Sequence, residues 1–202
     1  MAMRDTRGKI LDASLRLFSK KGFLGATTKE IAQKAGVAEL TLFRHFSSKE
    51  RLFEEMIANY SFLPALKGLL PEIKDLSYKD ALKEIAGRFL DRLTERRELI
   101  KIMHSEIHRY PAKVKEIQQN LVGEIVRTLA SYFREMQGQG LLREFDPELG
   151  ARALLGMFFQ YFTTQEFMVE KRQRFENKAA VIREYVEIFV SGTSGAYPKE
   201  GR

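Results

Sequence analysis

Residues 26–50 predict two short helices joined by a tight turn, and this pattern constrains the fold more than any other part of the sequence. Thr27 and Glu30 have the spacing of a capping box, in which a hydroxyl and a carboxylate each satisfy a free backbone N–H at a helix start. Gly36 is typical of a helix end that needs a left-handed backbone. A second helix is expected from Glu39 to Phe46. Two such helices around a glycine-containing turn form a helix-turn-helix.

Further helices are expected on both sides of this motif. Residues 4–22 carry apolar residues at amphipathic helical spacing. Ser47 and Glu50 repeat the capping-box spacing, which predicts a fourth helix from residue 48 to about residue 63, closed by Pro64.

The rest of the chain also has helical periodicity, and no strand pattern competes with it. Proline and glycine interrupt the periodicity between residues 63 and 76, where a domain boundary is favoured. Asp146 followed by Pro147 is a strong helix start. The predicted class is therefore all-α, with later helices over residues 77–93, 98–110, 112–137, 147–170 and 177–190.

Positive charge is concentrated near the helix-turn-helix. The chain has a net charge of +7, and residues 1–50 hold ten Lys or Arg against five acids. A localised basic surface on such a motif is the electrostatic footprint of phosphate binding. The alternative is a basic face that only meets solvent.

Several function classes are excluded or disfavoured by composition. The absence of cysteine excludes disulfides, thiolate catalysis and Cys-ligated zinc. There is no run of 18 apolar residues and no apolar signal-peptide core, so no membrane association and a cytoplasmic location are expected.

Two histidines at helical spacing are the sharpest candidate for chemistry. His104 and His108 are four residues apart, a spacing that suits metal ligation, but no Glu follows the first histidine as a zinc-protease motif requires. Surface or core histidines are the preferred interpretation. Because no phosphate loop, nucleophile elbow or calcium loop is present either, the sequence predicts no catalytic residues, no metal site and no cofactor.

The last two helices carry more apolar residues than one face can hold. This surplus predicts a homodimer in which both helices join a four-helix bundle with the partner's. The alternative is that both faces pack within one subunit. The apolar residues concerned are Leu149, Ala153, Leu154, Met157, Phe158, Phe159, Tyr161, Phe162, Phe167, Met168, Val181, Ile182, Tyr185, Val186, Phe189 and Val190.

The first quarter of the chain contains two patterns of specific residues at fixed spacings. They read Thr27-Thr28-x-x-Ile31-Ala32-x-x-Ala35-Gly36-Val37 and then Thr41-Leu42-Phe43-x-His45-Phe46-x-x-Lys49-Glu50-x-Leu52. With these spacings the sequence resembles the TetR family of bacterial transcriptional regulators. The resemblance implies an all-α homodimer with a three-helix DNA-binding domain at residues 1–50. It also implies a helical ligand-binding and dimerisation domain at residues 51–192. Residues 193–202 are expected to be a disordered tail.

The resemblance also implies which residues meet double-stranded DNA. Phosphate contacts are expected at helix starts, where free N–H groups favour an anion, and base contacts near the start of the recognition helix. The phosphate candidates are Thr28, Lys29 and Lys49; Thr41, Phe43 and His45 lie on the recognition helix; Glu39, Leu40 and Arg44 are nearest to base edges. The sequence departs from the family pattern at Ala38, Leu40 and Phe43, changes that bear on the operator sequence and not on the class.

In the second domain the resemblance implies a cavity between helices. An aromatic, Met-containing lining suits a hydrophobic small-molecule effector, although aromatic residues at helical spacing are more often ordinary core. The candidate lining residues are Met56, Tyr60, Phe89, Met103, His104, Ile107, Tyr132, Phe133, Phe158 and Phe162.

The leading hypothesis is a ligand-responsive transcriptional regulator, most simply a repressor, that binds a pseudo-palindromic operator as a homodimer. Two alternatives remain at this point: an architectural DNA-binding protein without an effector, and a small helical ligand-binding enzyme. A pocket and sequence-selective binding would separate the first from the regulator. A cluster of convergent titratable residues would support the second, and the sequence supplies none.

Overall fold

The computed structural model describes residues 2–168 and 177–195, with side chains from residue 6 onward. Its named elements are all helical, which confirms the predicted all-α class. The α-helices are α1 (Ala2–Gly25), α2 (Thr28–Ala35), α3 (Glu39–His45), α4 (Lys49–Tyr60), α5 (Leu63–Glu72), α6 (Tyr78–Glu95), α7 (Arg97–Glu106), α8 (Ala112–Gly138), α9 (Pro147–Thr163) and α10 (Lys178–Thr193). A 3₁₀ turn covers Ile107–Arg109 and a π-helical segment covers Thr164–Met168.

The chain forms two compact units, and each unit combines two separate stretches of the sequence. The first unit contains the residues up to Ser61 together with Arg96–Val122. The second contains Phe62–Glu95 and the described residues from Gly123 onward. The predicted domain limits at residues 50, 192 and 193 separate regions by expected function, whereas these two units are separated by packing. The predicted limits remain a prediction.

An aromatic cluster forms the core of the first unit. Phe18 and Phe53 meet edge-on with ring centroids 5.3 Å apart, and Phe23 packs on both. Gly22 has φ 69°, so it breaks the helical path of α1 and turns Phe23 back onto the cluster. Leu99 and Tyr110 enter the same core from the later segment of the chain. Helix α7 thus shares a hydrophobic core with the helix-turn-helix.

Two expectations about helix boundaries after the helix-turn-helix are wrong. The N-cap of α4 is Ser48, whose hydroxyl accepts from the Arg51 N–H at 3.1 Å, so the cap lies one residue after the expected Ser47 and the expected capping box with Glu50 does not form. Helix α4 ends at Tyr60, and Pro64 lies in the first turn of α5, where its missing N–H removes no intrahelical bond.

The second unit is held by packed aromatic and aliphatic side chains. Helix α6 contributes a buried apolar stripe and contacts both α9 and α10. Phe133 of α8 stacks on Phe189 of α10 at 5.7 Å, and Phe158 of α9 meets Tyr185 at 5.5 Å. Asp146 caps α9 as predicted, since its carboxylate accepts from two backbone N–H groups at 2.8 and 3.1 Å.

The ends of the last two helices differ in part from expectation. Helix α9 stops at Thr163 and passes into the π-helical segment, while the predicted extension to residue 170 runs outside the described residues. Residues 193–195, at the start of the predicted tail, are described: Thr193 is buried in α10, and Ser194 bridges to Leu142. Residues 196–202 lie outside the described part of the chain. In the described ranges, no helix is both long and apolar enough to cross a membrane.

Candidate nucleic-acid interface

The start of α2 is fixed by the capping box that the sequence predicts. The Thr27 N–H donates to Glu30 Oε2 at 3.2 Å, and the Glu30 N–H donates to Thr27 Oγ1 at 3.2 Å. Lys21 at the end of α1 donates to Glu30 Oε1 at 2.6 Å. This ammonium and the Thr27 hydrogen bonds lower the pKa of Glu30. The ionised carboxylate therefore ties α1 to α2 at neutral pH, and the tie weakens as pH falls through that lowered pKa.

The turn between α2 and α3 has the geometry expected for this motif. Gly36 takes φ 70° and ψ 34°, the left-handed conformation that glycine adopts without strain. Its N–H and that of Val37 bond back to the last turn of α2. Helix α3 then begins after Ala38, which offers no side-chain cap.

Glu39, a candidate for base reading, has a partner within the motif. Thr28 Oγ1 donates to Glu39 Oε1 at 2.6 Å, so the first residues of α2 and α3 are joined. Thr28 was predicted to face phosphate and Glu39 to face bases. In this conformation the two side chains hydrogen-bond to each other, and their contacts with DNA remain a prediction. The pair therefore positions α3 on α2, and the sequence offered no spacing rule that signals such a contact.

The outward face of α3 mixes apolar and cationic groups. Leu40 is 64 % exposed and Phe43 is 41 % exposed, while Arg44 is also exposed. Thr41 and His45 are partly buried at the sides of this face. Leu42 and Phe46 are buried in the core, as the spacing predicts. The face can offer a methyl contact to thymine and a bidentate donor to guanine.

The two lysines predicted to hold phosphates lie in different surroundings. Lys29 in the first turn of α2 is exposed. The Lys49 ammonium lies 4.5 Å from the centroid of the Phe23 ring, and burial lowers its pKa. The sequence pattern did not reveal this contact between Lys49 and the Phe23 ring.

The predicted effector-lining residues are divided between the two units. Met56, Tyr60, Met103, His104 and Ile107 belong to the first unit, and Phe89, Tyr132, Phe133, Phe158 and Phe162 belong to the second.

Several of these residues are packed core in this conformation. Met56, Phe133 and Phe158 have no exposed surface, so they border no water-sized space here. Tyr60 donates to the Asp12 carboxylate and lies under the Arg96 guanidinium. Their contact with an effector remains a prediction.

A surface groove of about 420 Å³ lies in the second unit between α5 and α8. Its walls include Lys67, Leu70, Pro71, Lys74, Tyr132 and Met136. Of the predicted lining residues, Tyr132 alone reaches this groove. The sequence pattern favours a broken linker at residues 63–76, so it does not predict that α5 lines this groove. Lys67 lies in α5, whereas Lys74 follows the end of that helix.

The histidine pair does not share a helical face. His104 lies in α7, whereas His108 lies in the 3₁₀ turn, and both are exposed. Within the described residues, no group of three His, Cys, Asp or Glu is placed to hold a metal ion.

Comparison with known protein families gives two matches. Residues 10–56 match the model described as "Bacterial regulatory proteins, tetR family". Residues 80–192, more than half of the chain, match the model described as "AefR-like transcriptional repressor, C-terminal domain".

Individual relatives agree with these families. The chain is 32% identical over 164 residues to the HTH-type transcriptional regulator YvkB of Bacillus subtilis, covering 79% of this chain and 82% of that protein. It is 30% identical over 140 residues to the HTH-type transcriptional repressor KstR2 of Rhodococcus jostii, covering 65% of this chain and 64% of that protein.

Solved structures show the same fold. A TetR-family regulator structure from Mesorhizobium loti superposes with a TM-score of 0.77 at 24% identity, covering 96% of this chain and 99% of that one. The regulator FadR from Bacillus subtilis, solved in complex with stearoyl-CoA, superposes with a TM-score of 0.73 at 19% identity, covering 91% and 97% of the two chains.

Proposed function

The chain belongs to the TetR family of bacterial regulatory proteins, and from that premise we propose that it is a homodimeric repressor released from its operator by a hydrophobic small molecule. Its class, a transcriptional regulator with a DNA-binding helix-turn-helix, follows from the family itself. The dimer, the effector and the release are the parts that we propose here, together with a non-enzymatic, cytoplasmic role.

The geometry of α2 and α3 carries the DNA-binding part of the proposal. Helix α3 is held by the Gly36 turn and by the Thr28–Glu39 hydrogen bond, and its free face presents Leu40, Phe43 and Arg44. Two such helices in a dimer must lie one turn of DNA apart, about 34–36 Å, or a multiple of that distance. The proposed operator is therefore pseudo-palindromic.

The outer face of α9 supports the proposed dimer. Leu149 is 65 % exposed and Phe159 is 37 % exposed, and Ala153 and Gly156 lie between them on the same face. A Cβ added at Gly156 meets no other atom within 4 Å. On α10, Ile188 is 65 % exposed. Small residues leave room for a second helix to approach closely, and the large residues beside them can pack against it. This arrangement favours a bundle formed with the partner's α9 and α10.

The effector is proposed from the groove and from the relatives. Leu70, Pro71 and Met136 give the groove an apolar wall, with lysines at its edge. The similar FadR structure was solved in complex with stearoyl-CoA, which is an acyl derivative. An apolar or acyl-containing effector fits both observations. If that effector binds the DNA-free form better, DNA must weaken effector binding by the same factor.

Selection of bound fragments from genomic DNA tests the proposal, with the selection repeated in the presence of hydrophobic compounds such as long-chain acyl derivatives. We expect a shared inverted-repeat motif in the bound fragments and release by one class of compound. Enrichment without any shared motif would favour an architectural DNA-binding protein. A shared motif whose binding no compound changes would leave a regulator but remove the hydrophobic effector.

A further inference from the structure

The turn between α7 and α8 lies close to the helix-turn-helix within the first unit. Its residue Tyr110 is buried, and the Tyr110 ring meets Phe23 edge-on at 6.3 Å. Phe23 in turn carries the Lys49 ammonium at 4.5 Å. The turn is therefore two ring contacts away from the first residue of α4.

The pairing of α1 with α4 shows which end of the unit this is. Asp12 of α1 meets Tyr60 at the end of α4, and Phe23 of α1 meets Lys49 at its start, so the two helices are antiparallel. The turn therefore lies at the end of the unit where α4 begins, directly after α3. This is the end that we propose to face DNA.

The end of α7 is seated firmly on α1. A Cβ added to Gly22 would collide with the Glu106 carboxylate, so the glycine both permits the positive φ and makes room for this side chain. Glu106 Oε2 and the Tyr110 hydroxyl are both buried, and each group acts on the other electrostatically. The acidic group of this segment is thus turned inward, toward α1.

The cations of the same segment remain at the surface. We call Arg109, Lys113 and Lys115 the basic corner. Arg109 and Lys113 are exposed and Lys115 is partly buried, with its ammonium 3.4 Å from the His108 carbonyl oxygen. Lys113 pairs with Glu116 at 3.1 Å, an exposed pair that is weak and exchangeable. The first turn of α8 contains no acidic residue, so the positive end of the helix dipole adds to the corner.

We propose that the basic corner is a second site for the DNA backbone, in which Arg109 and Lys115 contact phosphates beside those held by the helix-turn-helix. The inference rests on the proposed function, because it takes DNA as the ligand. Its physical basis is a rigidly seated segment whose carboxylate points inward, whose cations point outward, and which lies at the α4 start. Phosphate contacts of this kind strengthen binding without reading sequence.

The double variant Arg109→Ala/Lys115→Ala tests this site and leaves the Lys113–Glu116 pair intact. DNA affinity is measured from about 50 to 200 mM salt, on a selected operator fragment and on a scrambled duplex of equal length. Because each lost phosphate contact lowers the slope of log Kobs against log salt by about 0.9, we expect a slope shallower by roughly two on both duplexes. The ratio between specific and scrambled affinity should stay unchanged.

Lys101→Ala is the matched control, since Lys101 is an exposed cation of α7 outside the basic corner. It should leave the slope as in the unmodified protein. A double variant that keeps its thermal stability and also keeps the full slope overturns the second site, even if the operator is bound selectively. If the unmodified protein does not prefer the operator over the scrambled duplex, the proposed function is wrong. The salt slopes of the unmodified protein and the double variant on scrambled DNA still show whether the basic corner contacts phosphates.

Discussion

The outer faces of α3 and α9 both carry exposed apolar side chains, but they are built on different frameworks. Helix α3 has seven residues and no side-chain N-cap, and isolated helices of that length are unstable in water. Its position depends on the buried Leu42 and on the Thr28–Glu39 contact. Helix α9 has 17 residues, and Asp146 caps its start.

The chemistry of the two faces differs in the same way. On α3, Leu40 and Phe43 adjoin the cationic Arg44, a mixture that suits base edges and phosphates. On α9, Leu149 and Phe159 flank Ala153 and Gly156, a surface that suits close packing with another helix. Exposed apolar residues therefore do not identify a partner.

The largest effect is expected from a charge in the middle of the α9 face. Gly156→Glu should separate the proposed dimer and lower operator affinity by about 100-fold or more, since linking two binding modules contributes roughly 10²–10⁴. Sedimentation and operator titration measure both quantities. Gly68→Glu is the control, because Gly68 is also a helical glycine with no atom near its Cβ position. A dimeric Gly156→Glu variant would contradict the assignment of α9.

The α3 face is tested by Arg44→Ala. Loss of a bidentate contact to a base costs about 1–3 kcal/mol, so operator affinity should fall by roughly 10- to 100-fold while affinity for random DNA changes much less. Titration against single-base variants of the operator should show relaxed preference at one position. Equal losses on operator and random DNA would make Arg44 a backbone contact.

Lys49→Ala distinguishes a phosphate contact from a structural one at the start of α4. We expect weaker binding to all sequences and a salt slope smaller by about one, because the variant loses one phosphate contact at the start of α4. Salt titrations on operator and random duplexes measure this. An unchanged slope with reduced thermal stability would show that Lys49 serves the aromatic core alone.

The smallest effect is expected at Glu39. Glu39→Ala removes the acceptor for Thr28 and should weaken operator binding by a few fold, as expected for one net hydrogen bond of about 0.5–1.5 kcal/mol. Glu39→Gln keeps an acceptor oxygen and should bind nearly as well as the unmodified protein. An altered preference at a single base pair of the operator in either variant would show that Glu39 contacts a base.

Local signals in the sequence were reliable where they act through the adjacent backbone. The Thr27–Glu30 capping box, the left-handed Gly36 and the Asp146 cap all appear as predicted. The errors arose at α4 and α5. Ser47 and Ser48 are both possible N-caps of α4, and the structure uses Ser48. Pro64 lies in the first turn of α5 and does not end a helix.

The site residues show how far that reliability extends. Periodicity placed Arg44 outward and Leu42 inward, because those directions follow from helix geometry alone. It gave no sign that Lys49 lies on Phe23 or that Glu39 holds Thr28, since each contact joins residues more than ten positions apart. Phe133 and Phe158, which are predicted to line a cavity, are fully buried in this conformation, and spacing alone does not distinguish a core residue from a cavity wall.

The sequence by itself determined most of the helices, the helix-turn-helix and its concentration of positive charge, because caps, turns and amphipathic spacing act over a few residues. Only the tertiary structure decided which distant segments pack together. It placed Arg96–Val122 in the same unit as α1 to α4, with Glu106 against Gly22. That arrangement depends on how whole faces of side chains fit one another, and no short-range pattern encodes such a fit.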